Sequence, residues 1–263
     1  MNRKLTIGWL YPDLMSTYGD RGNIIVLKKR CEWRGISMNI LPIDHKTDDQ
    51  QIKSIDLIFG GGSQDREQEI VMQDLKGKKK SIIKNLIDNE IPALFVCGAP
   101  QIMGKYYEPA IGKRIEGLGI FDMVSINPGP DSPRCIVNIV ASVNWKYLDL
   151  THNSELITQN SLVVGFENHG GRTYLSKNVK PFAYVIKGYG NNGKDKTEGV
   201  VYKNAIGSYL HGPLLPKNPQ LADFLIKRAL EVKYKEEISL KQLNDTIEIN
   251  ARKTIVKKLK IRI

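Results

Sequence analysis

Apolar residues fall in short runs through the first half of the chain. Leu5 to Tyr11, Met38 to Ile43, Ile55 to Phe59 and Ile91 to Val96 are brief, continuous and rich in β-formers, the pattern of strands buried on both faces of a parallel sheet. Between the first two, Asn23 to Arg34 carries Ile24, Leu27 and Cys31 at helical spacing and stops at Gly35, a natural residue after a helix end, so Cys31 is read as core. Ser81 to Asp88 places Ile82, Ile83, Leu86 and Ile87 on one helical face. The order strand, helix, strand, strand, helix, strand predicts an α/β sandwich with a mainly parallel sheet and right-handed crossovers.

From about Gly117 to Lys187 the pattern changes to alternation, in Cys135 to Ala141, Leu162 to Phe166 and Phe182 to Ile186, with turn-rich links between. A second, more antiparallel sheet region is expected there. Ala205 to His211 returns to a core strand, and Pro219 opens a helix striped by Leu221, Phe224, Leu225 and Leu230. The compact domain is therefore read as residues 1–234, followed by a basic C-terminal tail or helix over 235–263. In that tail Ile255, Leu259 and Ile263 recur every four residues. They suit either an amphipathic helix facing a partner or an anionic surface, or a solvated terminus.

Charge and cysteines alter this picture only a little. The formal charge is +11, from 39 Lys and Arg against 28 Asp and Glu. That suits a polyanionic partner or a solubilising lysine-rich surface, and nucleic-acid binding has nothing but this charge behind it. Cys31, Cys97 and Cys135 make neither a metal pair nor a disulfide framework. The first segment reads as a strand rather than a signal sequence, and no run is long enough to span a bilayer. A reducing cytoplasm is the expected compartment.

The chemistry concentrates where strands end. Ile91-Pro-Ala-Leu-Phe-Val-Cys97-Gly98-Ala-Pro-Gln101 is a buried strand that finishes on a cysteine and turns at once through glycine into a helix, the pattern of a nucleophile elbow. At the carboxyl end of a parallel strand such a side chain faces the crevice where these sheets bind ligands. The helix N-terminus offers it N–H groups and a positive dipole end. Phe59-Gly60-Gly61-Gly62-Ser63 has neither phosphate-loop spacing, but it allows close backbone approach, and the N–H of Gly61 or Gly62 with that of Gly98 is a candidate oxyanion hole. His45 and His152 lie in polar loop sequence. His211, on a strand ending in Tyr-Leu-His-Gly, is the favoured base, with His169 in Glu-Asn-His-Gly-Gly as its rival or as a substrate contact.

Together, the Gly-Gly-Gly loop, the Cys97-Gly-x-x-Gln101 elbow and the late His211-Gly resemble the class I glutamine amidotransferases of the cobyric-acid-synthase-like branch. Tyr18-Gly-Asp-Arg-Gly-Asn23, Gly60 to Gln68, Gly165 to Arg172 and Tyr209 to Asn218 sharpen this to a resemblance to the glutaminase subunits of lipid II isoglutaminyl synthases, over residues 5–232. The resemblance implies a flavodoxin-like sandwich, Cys97 as nucleophile, His211 as base, and Arg134 as the cation holding L-glutamine. Related glutaminases carry an acid two residues past the histidine; here that place is Pro213, and the resemblance implies that the partner supplies the carboxylate. Ala99-Pro100 and Gln64 depart from the family pattern.

The same resemblance implies a heterodimer with a Mur-ligase-like synthetase subunit that holds ATP and Mg. No cofactor or metal is then expected in this chain, and the complex would meet lipid II at the inner face of the membrane. Two other readings stand beside it: an amidotransferase of another, cobalamin-type pathway, and a non-catalytic anion-binding module on the same fold.

Overall fold

Five parallel strands form the centre of the computed structural model, which describes residues 3–143, 145 and 161–261. They are β1 (Lys4–Leu10), β2 (Ser37–Ile43), β3 (Leu57–Gly60), β4 (Ala93–Val96) and β14 (Ala205–Ser208). With the antiparallel β13 (Val200–Tyr202) they make a six-stranded sheet in the order β13-β14-β4-β3-β1-β2. β3 and β4 are buried along their whole length and alternate between two cores. Leu57, Phe59, Leu94 and Val96 join one; Ile58, Ala93 and Phe95 join the other. Apolar runs too short for helices become strands because both faces are covered.

The first face is covered by α1 (Arg21–Glu32), which buries Ile24, Leu27 and Cys31, and by α6 (Pro219–Tyr234), which buries Leu221, Phe224, Leu225 and Leu230. The second carries α2 (Asp49–Lys53), α3 (Asp65–Leu75), α4 (Lys78–Asp88) and α5 (Gly98–Met103). The sequence pattern did not reveal α2 or α3. α2 is one turn closed by an Asp48–Gln51 capping box with a single buried residue, Ile52, too little for a period to register. α3 opens on the polar run Asp-Arg-Glu-Gln-Glu and shows its buried Val71, Met72 and Leu75 only in its second half.

Two four-stranded sheets fill the alternating region. One is β10-β7-β5-β6, from β5 (Tyr106–Glu108), β6 (Ile115–Glu116), β7 (Met123–Ile126) and β10 (Arg172–Leu175), in which β5 and β7 run parallel. The other, β12-β11-β8-β9, is antiparallel and combines β8 (Cys135–Val143), β9 (Leu162–His169), β11 (Ala183–Lys187) and β12 (Thr197–Glu198). Its register sets Cys135 opposite His169, so Arg134 arrives beside Asn168.

The described part of the C-terminal stripe meets the chain's own sheet. α7 (Thr246–Lys258) buries Val256 and packs it, with Ile255 and Leu259, on Val140, Leu162 and Val164. Its entry is fixed by Arg30, which lies 2% exposed between Asp223 and Asp245 with N···O distances of 2.7 and 2.6 Å, a charge-paired clamp joining α1, α6 and the start of α7. Ile263 and His152 lie outside the described residues. Among the described residues no helix is long and apolar enough to cross a membrane.

Candidate active site

Cys97 sits where β4 gives way to α5, at φ 56° and ψ −98°. A left-handed φ is costly for a residue with a side chain and persists only where the surroundings enforce it. Here the enforcement is close packing: a Cβ on Gly98 would lie 2.6 Å from Ser63 Oγ and 2.9 Å from Ser63 N, so only glycine lets the 60–63 loop approach the elbow. The backbone N–H of Cys97 donates to Ser208 O at 2.8 Å, tying the elbow to the end of β14.

From β14 the chain runs directly to His211, which is wholly buried and bridged through its backbone to Phe166 of β9. A Cβ at Gly62 would stand 2.9 Å from His211 Cε1 and 3.5 Å from Cys97 Cβ, so Gly62 is the spacer that lets thiol and imidazole share one site. His211 Nδ1 lies 3.3 Å from Asp20 Oδ1, both side chains fully buried, while Nε2 has no nitrogen or oxygen partner. Burial alone would lower the His211 pKa. The adjacent Cys97 and the hydrogen bond with Asp20 outweigh it and push the pKa up to about 10.

Asp20 is the residue beside His211 that the sequence reading missed. The place at Pro213 carries no acid, but the turn that precedes α1 brings a carboxylate of this chain to His211. Its motif, Tyr18-Gly-Asp-Arg-Gly-Asn23, is visible in the sequence, but nothing local links it to a histidine 191 positions away. Asp20 also changes the expected oxyanion hole, because its Oδ2 accepts the N–H of Gly62 at 2.7 Å. That donor is spent on orienting the acid. Ser63, whose buried Oγ has no hydrogen-bond partner, lies against Gly98 instead, at the end of α5 where first-turn N–H groups have no partner within the helix.

A cavity of about 450 Å³ opens in front of Cys97. Of the residues singled out in the sequence, Cys97, Gln101, Arg134 and His169 line it, whereas Gly61, Gly62, Gly98 and His211 are buried and do not. Gln101 is held at both ends of its amide, accepting from Gln68 Nε2 at 2.9 Å and donating to Tyr209 OH at 3.1 Å. His169 is buried with its ring stacked on Tyr209, centroids 3.7 Å apart. Its Nδ1 bonds Gly171 O at 2.7 Å, and burial lowers its pKa, so this imidazole is neutral with the proton on Nδ1. Arg134 is exposed at the rim, donating from Nε and Nη2 to the side chain and backbone oxygens of Asn168, each at 3.1 Å. His45 is exposed and away from this cavity.

An elbow thiol, a carboxylate-seated imidazole and a cavity at the carboxyl end of a parallel sheet are the parts of a cysteine amidohydrolase. Comparison with known proteins fixes the class. The chain belongs to the CobB/CobQ-like glutamine amidotransferase domain family, whose model matches residues 6–219. The solved PurLQS structure from Thermotoga maritima shares the fold, with TM-score 0.53 at 15% identity over 90% of this chain and 100% of that one. Within the family the chain is 41% identical over 244 residues to the lipid II isoglutaminyl synthase (glutamine-hydrolyzing) subunit GatD of Streptococcus pneumoniae, covering 93% of this chain and 87% of that protein. It is 36% identical over 253 residues to the protein of the same name from Staphylococcus aureus, covering 96% and 95%.

Proposed function

We propose that this chain is the glutamine-hydrolysing subunit of an enzyme that amidates lipid II. The observation that carries the reading is the Cys97–His211–Asp20 arrangement, in which a strained elbow cysteine faces an imidazole held by a buried carboxylate. The cavity in front of it is bordered by Arg134, whose guanidinium suits the α-carboxylate of L-glutamine.

In this mechanism the Cys97 thiolate attacks the side-chain amide carbon of glutamine, forming a C–S bond. The oxygen takes up the displaced electron pair between the N–H of Gly98 and Ser63. His211, protonated at neutral pH because Cys97 and Asp20 raise its pKa, gives its Nε2 proton to the amide nitrogen. The C–N bond breaks, ammonia leaves and a γ-glutamyl thioester remains. His211, now neutral, takes a proton from water as it attacks the thioester; the C–S bond breaks, releasing glutamate and restoring the thiolate–imidazolium pair. Asp20 keeps Nδ1 protonated throughout and so presents Nε2 to the chemistry.

Ammonia then passes to a Mur-ligase-like partner subunit that holds ATP and Mg and amidates the D-glutamate α-carboxyl of lipid II. The names of the two relatives, at 41% and 36% identity, support this acceptor. The complex acts at the inner face of the membrane, where the basic surface of the chain favours a pyrophosphate-bearing lipid. Glutamate release from glutamine, measured with and without the co-expressed partner, tests the reading. Release that vanishes in Cys97→Ala is expected, and release that survives it refutes the assignment.

A further inference from the structure

Tyr18 occupies an unusual backbone position beside the site. Its φ is 58° and that of Gly19 is 80°, two left-handed residues in succession, and for a tyrosine this conformation is strained. The result is a reversal that delivers Tyr18 and Asp20 to two sides of one imidazole. The Tyr18 ring meets His211 edge-on, centroids 4.9 Å apart and planes at 74°, while the Asp20 carboxylate takes Nδ1. The turn is anchored by Thr17 N–H donating to Gly62 O at 3.1 Å and by Gly62 N–H donating to Asp20.

The far end of Tyr18 points elsewhere. Its hydroxyl accepts from Asn168 Nδ2 at 3.0 Å, and Asn168 in turn accepts from Arg134 through both its side-chain and backbone oxygens. One continuous line of contacts therefore runs from Arg134 at the rim, through Asn168 and Tyr18, to His211. Tyr18, 45% exposed, and Arg134, exposed, are the loosest links, while Asp20 and His211 are fully buried. A carboxylate bound by Arg134 immobilises its guanidinium, and a fixed guanidinium fixes Asn168 and hence the tyrosine hydroxyl.

The geometry points to Tyr18 as a positioning residue that transmits occupancy of the Arg134 site to His211, so that the base is seated when a substrate carrying an α-carboxylate is in place. The inference rests on the reading of Arg134 and Cys97 given above. It makes this line of contacts a device for specificity: an amide without the amino-acid head reaches the thiol but meets an unsteadied base.

Alkylation of Cys97 tests this in the chain alone, followed by mass spectrometry. Two probes are compared, a chloroketone bearing the amino-acid head of glutamine and its amine counterpart, which lacks only the carboxylate. The wild-type chain is expected to label faster with the carboxylate-bearing probe. In Tyr18→Phe, which keeps the ring on His211 and removes the hydroxyl, that advantage falls about fivefold, the weight of one hydrogen bond, while the amine probe labels at the wild-type rate. Asn168→Ala is expected to do the same. An undiminished advantage in Tyr18→Phe overturns the coupling and leaves the Arg134 reading intact. Equal slowing of both probes overturns it in favour of a purely structural tyrosine. A wild-type chain that labels equally with both probes refutes the Arg134 reading, and the coupling with it.

Discussion

His211 and His169 are both buried, both lie at or just past the end of a strand and both precede glycine, yet the fold gives them opposite electrical characters. His211 has Asp20 on Nδ1 and Cys97 nearby, and its pKa is pushed up to about 10. His169 has a backbone carbonyl on Nδ1 and a tyrosine ring on its face, and burial pulls its pKa down. Glu167 lies 3.7 Å from His169 Nε2, beyond hydrogen-bond distance, and its pull is outweighed by burial, so it does not raise that ring's pKa as Asp20 and Cys97 raise that of His211. The difference teaches that a histidine's context in the chain does not decide its role. What decides is whether the groups that reach the ring outweigh its burial, as Cys97 and Asp20 do at His211 and Glu167 does not at His169.

Substitutions break this contrast in graded fashion. Cys97→Ala is expected to lower glutamate release by at least about a thousandfold, and His211→Ala by about 10²- to 10⁴-fold, both read as turnover of the assembled enzyme. Asp20→Asn should cost roughly 10²-fold in kcat, since the amide no longer fixes the tautomer. It should also move the alkaline limb of the pH profile. Asp20 raises the His211 pKa, so its loss lowers the pH at which the imidazolium is lost to below about 10. His169→Gln is expected to leave that limb in place and to act mainly on KM, because the ring lines the cavity but carries no proton in exchange with Cys97.

The smallest effect concerns Glu198, another fully buried acid near this site. Burial raises its pKa to about 8, against hydrogen bonds from Ser208 Oγ and Tyr209 N–H that favour the charged form. A carboxyl whose folded pKa lies above its unfolded value contributes fully at pH below the unfolded value, near 4.5, and loses that contribution as pH rises through about 8. Glu198→Gln keeps an acceptor for both donors and cannot ionise. Its Tm should match the wild type at pH 5 and exceed it at pH 9, by thermal denaturation.

How far the sequence disclosed these features follows from their range. The strands and the Cys97 elbow are legible because apolar runs, and a reactive residue followed by glycine, are local patterns. His211 is legible on the same ground, which is why the sequence favours it as the base over His169. α2 was hidden by its single turn and α3 by its charged opening. Asp20 was illegible as an acid for His211 because only the junction of β3 with the turn before α1 brings Gly62 and Asp20 together, and a two-residue offset from the histidine was the only place a local search could look. In the C-terminal segment Ile255 and Leu259 recur as a local pattern, but the surface they pack on, the β8–β9 sheet, is a tertiary fact.

The central claim is that His211, seated by Asp20 and charged by Cys97, is the working base and that His169 is not. A ¹⁵N NMR titration of the histidine side chains in the intact chain, assigned with His211→Gln and His169→Gln, measures it directly. The account predicts that His211 remains protonated at pH 8 and that His169 is neutral at the same pH with its proton on Nδ1. A His211 that is already neutral at pH 7, or a His169 that is protonated there, would contradict it.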